Sequence, residues 1–537
     1  RILLQPCNRS FIFQKMEERT SKAVDNEREE IESYVALHGL EPQLNSVVND
    51  IVKDRPEDPF ATMSGLLLRK SERSELILGV SAREILSAQA FPCLQVSIVT
   101  IQGIFQATTG IGPFDGDARY EGRGLKKSVD SVTHLIQDKL IGKELNQAQI
   151  DTFLSSEPNI PDNVALALSM ACCRACAKHK GMELHAYIAQ LANVPDPCIP
   201  VPCFSLVNGG QFAQSPMFLQ ELTVMFKDMM SFEESLEAGV RLHRHLAKEL
   251  TTRGKNLNTG ISGGLVSGLD NPADVMKLVT DCATELSLSS CRLGLDMCAA
   301  SFASSGEGDE GALLYNPARS DKTSEFKSGE ELMDMYLDWL LRFNINTMDD
   351  LFAQGDTEVM MRFKERIDSE LARSKERAAE LAATKRKGRA AADEFGDDPV
   401  IPFEVVGNDP SCHLQIVGND LIRSAEDLDR FHEEQTANTI VLTLRKGFTV
   451  TGCIDLAAKA HGLGWGIVVS SDSKVESGET EDDFIAHLAI GIKAGQIRAG
   501  GLCSAENMAK YNTLLRIATD ETQYIPFAAS KFRMYQS

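Results

Sequence analysis

Cys173 and Cys176 stand in a C-x-x-C spacing, which can supply half of a zinc site or work as a redox dithiol. The pair sits inside a helical run, ALALSMACCRACAKHKG, with no second pair nearby to complete four ligands. It therefore reads as core, small apolar side chains packed in a buried helix. The chain has 13 cysteines, an odd number at irregular spacing and in apolar contexts such as Cys172 and Cys291. That usage argues against a disulfide framework and for a reducing compartment. A second candidate is the basic run Thr384-Lys385-Arg386-Lys387-Gly388-Arg389, whose composition would suit a localisation signal. It closes a charged helical stretch and reads more simply as a solvated helix end. With a net charge of −22, general nucleic-acid binding is not expected.

The 537 residues suffice for two or more domains, and 43% hydrophobic with 25% charged residues is the balance of a globular protein. No apolar run reaches the roughly 20 residues that span a bilayer, so no membrane role is expected. The opening, RILLQPCNRSFIFQK, is basic, but its apolar stretch breaks at Cys7-Asn8-Arg9-Ser10, short of a signal peptide. A cytoplasmic protein is expected. Residues 1–29 read as a tail, highly charged from 17 onward, leading into a compact helical pattern over 30–70. Over 76–197 a β-rich segment, LQVSIVTIQGIFQATTG, is followed by helices. Over 198–537 short apolar runs such as IVLTL and GWGIVVSS alternate with amphipathic helices, which predicts a closed α/β barrel. One stretch breaks the rhythm. FKERIDSELARSKERAAELAATKRKGRAAADEF, residues 363–395, is rich in Ala, Glu, Lys and Arg and in i,i+4 opposite charges. It reads as a solvated helix inserted between barrel elements, the whole insertion running over about 363–410.

The N-terminal helical pattern places Leu37, Leu40, Leu44, Val47, Val48 and Ile51 at mixed i+3 and i+4 steps, so one face is apolar. Arg55-Pro56 ends that helix, and Asp58-Pro59 starts a second one carrying Phe60, Met63, Leu66 and Leu67. Two such short helices bury too little surface to stand alone, so they are expected to pair with a second copy. The placement of Tyr34, Gly39-Leu40, Leu44, Arg55-Pro56 and Asp58-Pro59 resembles the RIIa-type docking and dimerisation fold of kinase regulatory subunits and its Dpy-like relatives. The resemblance implies a homodimer whose groove accepts an amphipathic helix of a scaffold protein, radial-spoke-like axonemal scaffolds among them. Leu40, Leu44, Val48, Ile51, Phe60 and Leu67 are the expected docking interface.

Longer strings carry a second likeness. Ser81-Ala82-Arg83-Glu84-Ile85-Leu86, VPCFSLVNGG (201–210), Ser477-Gly478-Glu479-Thr480-Glu481-Asp482, Ala509-Lys510-Tyr511-Asn512 and Leu514-Leu515-Arg516-Ile517 occur in enolase order with enolase-like spacing. Over roughly 76–520 the chain resembles the enolase family. That implies an α/β enolase fold: an α+β N-terminal domain capping an eight-stranded α/β barrel, here preceded by the all-α hairpin. It also implies a reaction in which a neutral Lys takes a proton from beside a carboxylate, magnesium neutralises the developing charge, and a carboxylic acid helps hydroxide depart.

Carried over position by position, that machinery is thinned. The family's metal triad falls on Asp296 in LGLDMCAAS, on Asp349 in NTMDDLF where the family has Glu, and on Asn419 in QIVGNDL where it has Asp. Ligand charge falls from three negatives to two, so magnesium is expected to bind weakly or not at all. The catalytic Lys falls on Thr443 in TIVLTLRKG, and a Thr cannot serve as base for a weak carbon acid. Arg445, expected on the same strand face, stays protonated, and Lys446 is expected on the opposite face. The second Lys falls on Arg498, the acid Glu on Ser262 and the active-site His on Phe212, while Glu221 in FLQEL is retained. The phosphate loop falls on QATTG (106–110), with Thr108 and Thr109 in it, and SDSKVE (471–476) lacks the Arg that would grip a phosphate. Base, acid, one metal carboxylate and the phosphate Arg are all changed. The resemblance, narrowed to the divergent cilium- and sperm-associated enolases, implies a pseudoenzyme that is a structural component of a cilium or flagellum axoneme. The alternative is a divergent, magnesium-dependent phosphopyruvate hydratase of glycolysis, converting 2-phosphoglycerate to phosphoenolpyruvate.

Overall fold

The computed structural model describes residues 31–71, 75–110, 117–226, 228–305, 313–317, 326–386, 414–471 and 478–533. The expected charged tail, residues 387–413 of the insertion and nearly all of the SDSKVE run therefore lie outside the described residues. The chain divides into two compact units, one holding the N-terminal helices and a larger one that starts at Ile77.

In the first unit residues 31–37 are helical and α1 runs Leu40–Asp54. Pro56 disfavours helix at the residue before it. Arg55 accordingly turns into the left-handed region at φ 49°, its N–H closing on the Ile51 carbonyl at 2.8 Å. α2, Pro59–Arg69, starts on Asp58, whose Oδ1 accepts from the N–H groups of Phe60 and Ala61 at 3.0 Å each. Pro59 occupies the first helical position, where no N–H is needed. Lys70 Nζ donates to Gln43 Oε1 at 2.7 Å and ties the two helices together. The apolar stripe of α1 has two edges. Val47 and Ile51 are buried, whereas Leu44, Val48 and Val52 toward the other side are exposed, as is Leu40; Leu37, in the helical turn before α1, is exposed too. Of the residues expected at the docking interface, Ile51 is buried within the hairpin. Phe60 is exposed and Leu67 half-buried.

The second unit opens with an antiparallel meander: β1 Gly79–Leu86, β2 Pro92–Thr100 and β3 Gly103–Thr109. Helix α3, Asp162–Lys180, buries Cys172, Cys173 and Cys176 in the hydrophobic core, as a helix apolar nearly all round must. The barrel strands follow: β4 Val201–Pro202, β5 Phe204–Asn208, β6 Glu221–Phe226 and β7 Cys291–Asp296. After a small three-stranded sheet, β8 Ala303–Ser305, β9 Leu313–Tyr315 and β10 Lys327–Ser328, come β11 Ile345–Asp349, β12 Gln415–Gly418, β13 Thr439–Leu442, β14 Gly466–Ser470 and β15 Gly495–Arg498. Nine segments form one sheet, in the order β4-β15-β14-β13-β12-β11-β7-β6-β5. The eight expected strands appear as nine because Cys203 interrupts the first. Its N–H bonds the Ile497 carbonyl at 2.8 Å, so β4 pairs with β15 while β5 pairs with β6. Both ends of the sheet are thus one stretch of chain, and the barrel closes on it, leaving no free edge. β6 runs antiparallel to β5 and β7, whereas the pairs from β7 around to β4 are parallel.

Helix α4 spans Thr357–Arg386. Val359, Met360, Phe363 and Ile367 are buried along its first turns. The stretch expected to protrude from 363 onward thus begins as an ordinary barrel helix, because Phe363 and Ile367 supply the apolar face that packs it.

Candidate active site

Parallel strands bring their C-terminal ends to one mouth of the barrel, where side chains from separate strands converge. β6, running the other way, brings its first residue there. Register sets Asp349 beside Asp296, Asp296 beside Glu221 and Glu221 beside Asn208, a row of four across β11, β7, β6 and β5. Asn419 follows β12, Thr443 follows β13, Ser470 ends β14 and Arg498 ends β15. A cavity of about 440 Å³ opens among them, lined in part by Phe212, Glu221, Ser262, Asp296, Asn419, Thr443 and Arg498. Asp349 is fully buried and reaches the site through Arg498. Thr108 and Thr109 are not brought in. They line a separate cavity of about 50 Å³ that shares only Ser470 and Ser471 with the first. The Thr108 N–H donates to Asp482 Oδ2 at 2.9 Å, and Arg174 donates to the Gln106 carbonyl at 2.9 Å and to Asp482 Oδ1 at 2.8 Å.

Arg498 is the hub of the charge arrangement. Its Nη2 lies 2.7 Å from Asp349 Oδ2, and its Nη1 lies 3.6 Å from Asp296 Oδ2 and 3.8 Å from Glu221 Oε2. Burial by itself would pull the guanidinium pKa down, but Asp349, Glu221 and Asp296 outweigh it and hold Arg498 above its ordinary value. Burial pushes the Asp296 carboxyl well up, Asp349 and Asp350 adding to it against Arg498. Asp349 is also raised by burial, with Arg498 opposing. Each keeps one buried oxygen, Oδ1, without a hydrogen-bond partner. Asn419 Nδ2 donates to Asp296 Oδ2 at 3.2 Å.

A second network surrounds Ser262. Its hydroxyl lies 2.6 Å from Glu221 Oε1 and 2.9 Å from both Ser205 Oγ and Asn208 Oδ1, and the last also accepts from the Gly264 N–H at 3.0 Å. The packing leaves no room at Gly264, where a Cβ would stand 2.8 Å from Ser205 Oγ.

Two residues stand where strand alternation did not place them, or were passed over. Lys446 lines the cavity, its Nζ donating to the carbonyls of Asn419 and Val441 at 2.6 Å each, so its expected position on the opposite face is corrected. β13 stops at Leu442 and residues Leu444–Gly447 form a helical turn, so the period of two no longer applies. Arg445 lines the cavity as well. Asp350, flagged in the sequence only by the Asp349-Asp350 doublet, accepts from the N–H groups of Asn419 at 2.8 Å and Asp420 at 2.7 Å. It fixes the loop that presents Asn419, from a left-handed backbone at φ 46°.

A sequence profile of the enolase C-terminal TIM barrel domain matches residues 196–373 and 389–536, and one of the enolase N-terminal domain matches residues 77–188. The chain belongs to the enolase family. Enolase B of Dictyostelium discoideum is 30% identical over 463 residues, covering 82% of this chain and 94% of that one. The enolase of Mastigamoeba balamuthi is 29% identical over 462 residues, 82% and 95% of the two chains. Cytosolic enolase 3 of Arabidopsis thaliana is 26% identical over 525 residues, 94% and 99%. The gap between 373 and 389 in the barrel match falls inside and just beyond α4, past its buried first turns.

Enolases use magnesium, and the residues of this enolase-family barrel do not fit it. Magnesium asks for near-octahedral oxygen ligation at about 2.0–2.1 Å, usually with several waters. Among the described residues no group of three or more His, Cys, Asp or Glu side chains stands as such a ligand set. The guanidinium of Arg498 takes up the space between the carboxylates, and Asn419 turns an N–H donor, not an oxygen, toward Asp296. No helix of the described residues is long and apolar enough to cross a membrane.

Proposed function

We propose that this enolase-family chain is catalytically degenerate and serves as a structural component, held in place through its N-terminal helices, in the axoneme of a motile cilium or flagellum. The observation that carries the catalytic part is the engagement of Arg498. Its guanidinium sits 2.7 Å from Asp349 and does not give up its proton in a protein, so it cannot accept one from a substrate. Thr443 offers only a hydroxyl, Phe212 offers no exchangeable proton, and the Ser262 hydroxyl is far too weak an acid to replace a carboxylic acid. Loss of a general base alone lowers a rate by roughly 10²- to 10⁴-fold. The structural part is supported by the exposed edge of α1, an apolar stripe of Leu44, Val48 and Val52. With the RIIa-like turn at Pro56 and Pro59 it favours a second copy of the chain and an amphipathic helix of a scaffold protein as partners. The axonemal setting is taken from the resemblance and the reducing, cytoplasmic location from the cysteine usage, and co-sedimentation with isolated axonemes tests the former.

Dehydration of 2-phosphoglycerate at millimolar magnesium, beside an ordinary enolase, tests the catalytic part. Turnover absent from this chain but gained by a combined Ser262→Glu, Asn419→Asp, Thr443→Lys, Arg498→Lys variant is the expected result. Robust magnesium-dependent turnover by the unaltered chain would overturn it. A divergent phosphopyruvate hydratase is the second reading, and it is favoured by Lys446, a primary amine in the cavity wall three residues after Thr443. Turnover abolished by Lys446→Met would decide for it.

A further inference from the structure

We infer that Arg498 is a built-in replacement for the divalent cation: one guanidinium stands among the carboxylates that a metal would otherwise neutralise and holds them together. The inference rests on the reading above, deepening it from lost chemistry to a substituted cation. Asp349, Asp296 and Glu221 stand on three adjacent strands, each nearly or fully buried, and desolvated carboxylates in such a row repel one another. Something positive must sit among them. The guanidinium does, bonding Asp349 at 2.7 Å and lying within 3.6 Å of Asp296 and 3.8 Å of Glu221. A Lys ammonium is a point charge on a flexible stem, whereas the planar fork of Arg spreads its charge over donors that face different strands at once. Asn419 works in the same sense, presenting an N–H to Asp296 where a carboxylate would have recruited an ion. Oδ1 of Asp296 and Oδ1 of Asp349 have no hydrogen-bond partner even with Arg498 in place, so they are the oxygens an entering ion would meet first. Without the guanidinium they form the start of a cation site.

Manganese binding by the purified full chain, read by electron paramagnetic resonance, tests this, with thermal melting in magnesium as a second readout. The unaltered chain is expected to show no stoichiometric ion and no rise in Tm with magnesium. Arg498→Ala is expected to gain one ion per chain, bound at least roughly tenfold tighter, with a Tm that rises as magnesium is added. Asn419→Asp alone is expected to gain nothing, because the guanidinium still fills the position, and Arg498→Lys to fall between. One ion bound by the unaltered chain as tightly as by Arg498→Ala overturns the inference, and so does a site created by Asn419→Asp alone. The second of these arms stands even if Arg498→Ala fails to fold. Ion binding without turnover overturns this inference and spares the catalytic reading. Metal-free turnover does the reverse.

Discussion

Arg498 Nη2 and Asp349 Oδ2 meet at 2.7 Å in the mouth of the barrel, both side chains buried and drawn from β15 and β11, strands separated by three others in the sheet. The pair spans the site, so it couples two sides of the barrel. Removing one partner leaves the other as an uncompensated buried charge. Arg498→Met is therefore expected to destabilise the chain by about 3–5 kcal/mol in urea unfolding. The double change Arg498→Met, Asp349→Leu should recover part of that loss, since two apolar groups leave fewer buried charges unpaired.

Asp350 predicts the form of the pH dependence. Burial first, then the neighbouring Asp420 charge, pushes its carboxyl from 3.8 up to about 7. The folded state thus holds this proton over a range where the unfolded chain has released it. Stability falls as pH rises from about 4 to about 7, by at most about 1.4 kcal/mol per pH unit from this group, and flattens above. Asp350→Asn should flatten that slope in melting curves taken between pH 4 and 8, and should also loosen the loop that presents Asn419. An unchanged slope would sink the assignment.

Leu44 and Val48 lie on the exposed edge of α1, apart from buried Val47 and Ile51. Glu at both positions costs little within the hairpin, because neither side chain is buried there. If that edge joins two copies, Leu44→Glu, Val48→Glu halves the mass measured by light scattering while helical circular dichroism stays unchanged. Val47→Glu, by contrast, should reduce the helical signal itself.

The cysteines give a check on the core. Cys503 is exposed, whereas Cys172 and Cys173 are fully buried and burial raises the Cys173 thiol well above its ordinary value. Cys172 is raised too, first by its contact with Cys176 at 3.7 Å and then by burial. A thiol reagent at neutral pH should modify Cys503 early and the α3 cysteines only on unfolding. Early labelling at Cys173 or Cys176, or a zinc ion that protects them, would contradict the reading of the C-x-x-C as core.

By itself the sequence determined the local stops and starts and the chemistry available at single positions. Pro56 ends α1, and Asp58 with Pro59 starts α2, because a ring and a carboxylate act on their nearest backbone groups. Thr443 and Ser262 bring hydroxyls and Phe212 no exchangeable proton, whatever the fold does with them. Tertiary structure decided what those residues do together. The reversed direction of β6 sets Glu221 beside Asp296, and closure at Cys203 brings β15 round to carry Arg498 toward Asp349. Lys446 enters the cavity because β13 ends one residue before Thr443, a boundary that alternation along the strand could not supply. Ile51 is buried and Val48 exposed on one apolar stripe because a helix pattern says which residues share a face, while packing selects which edge of it is covered.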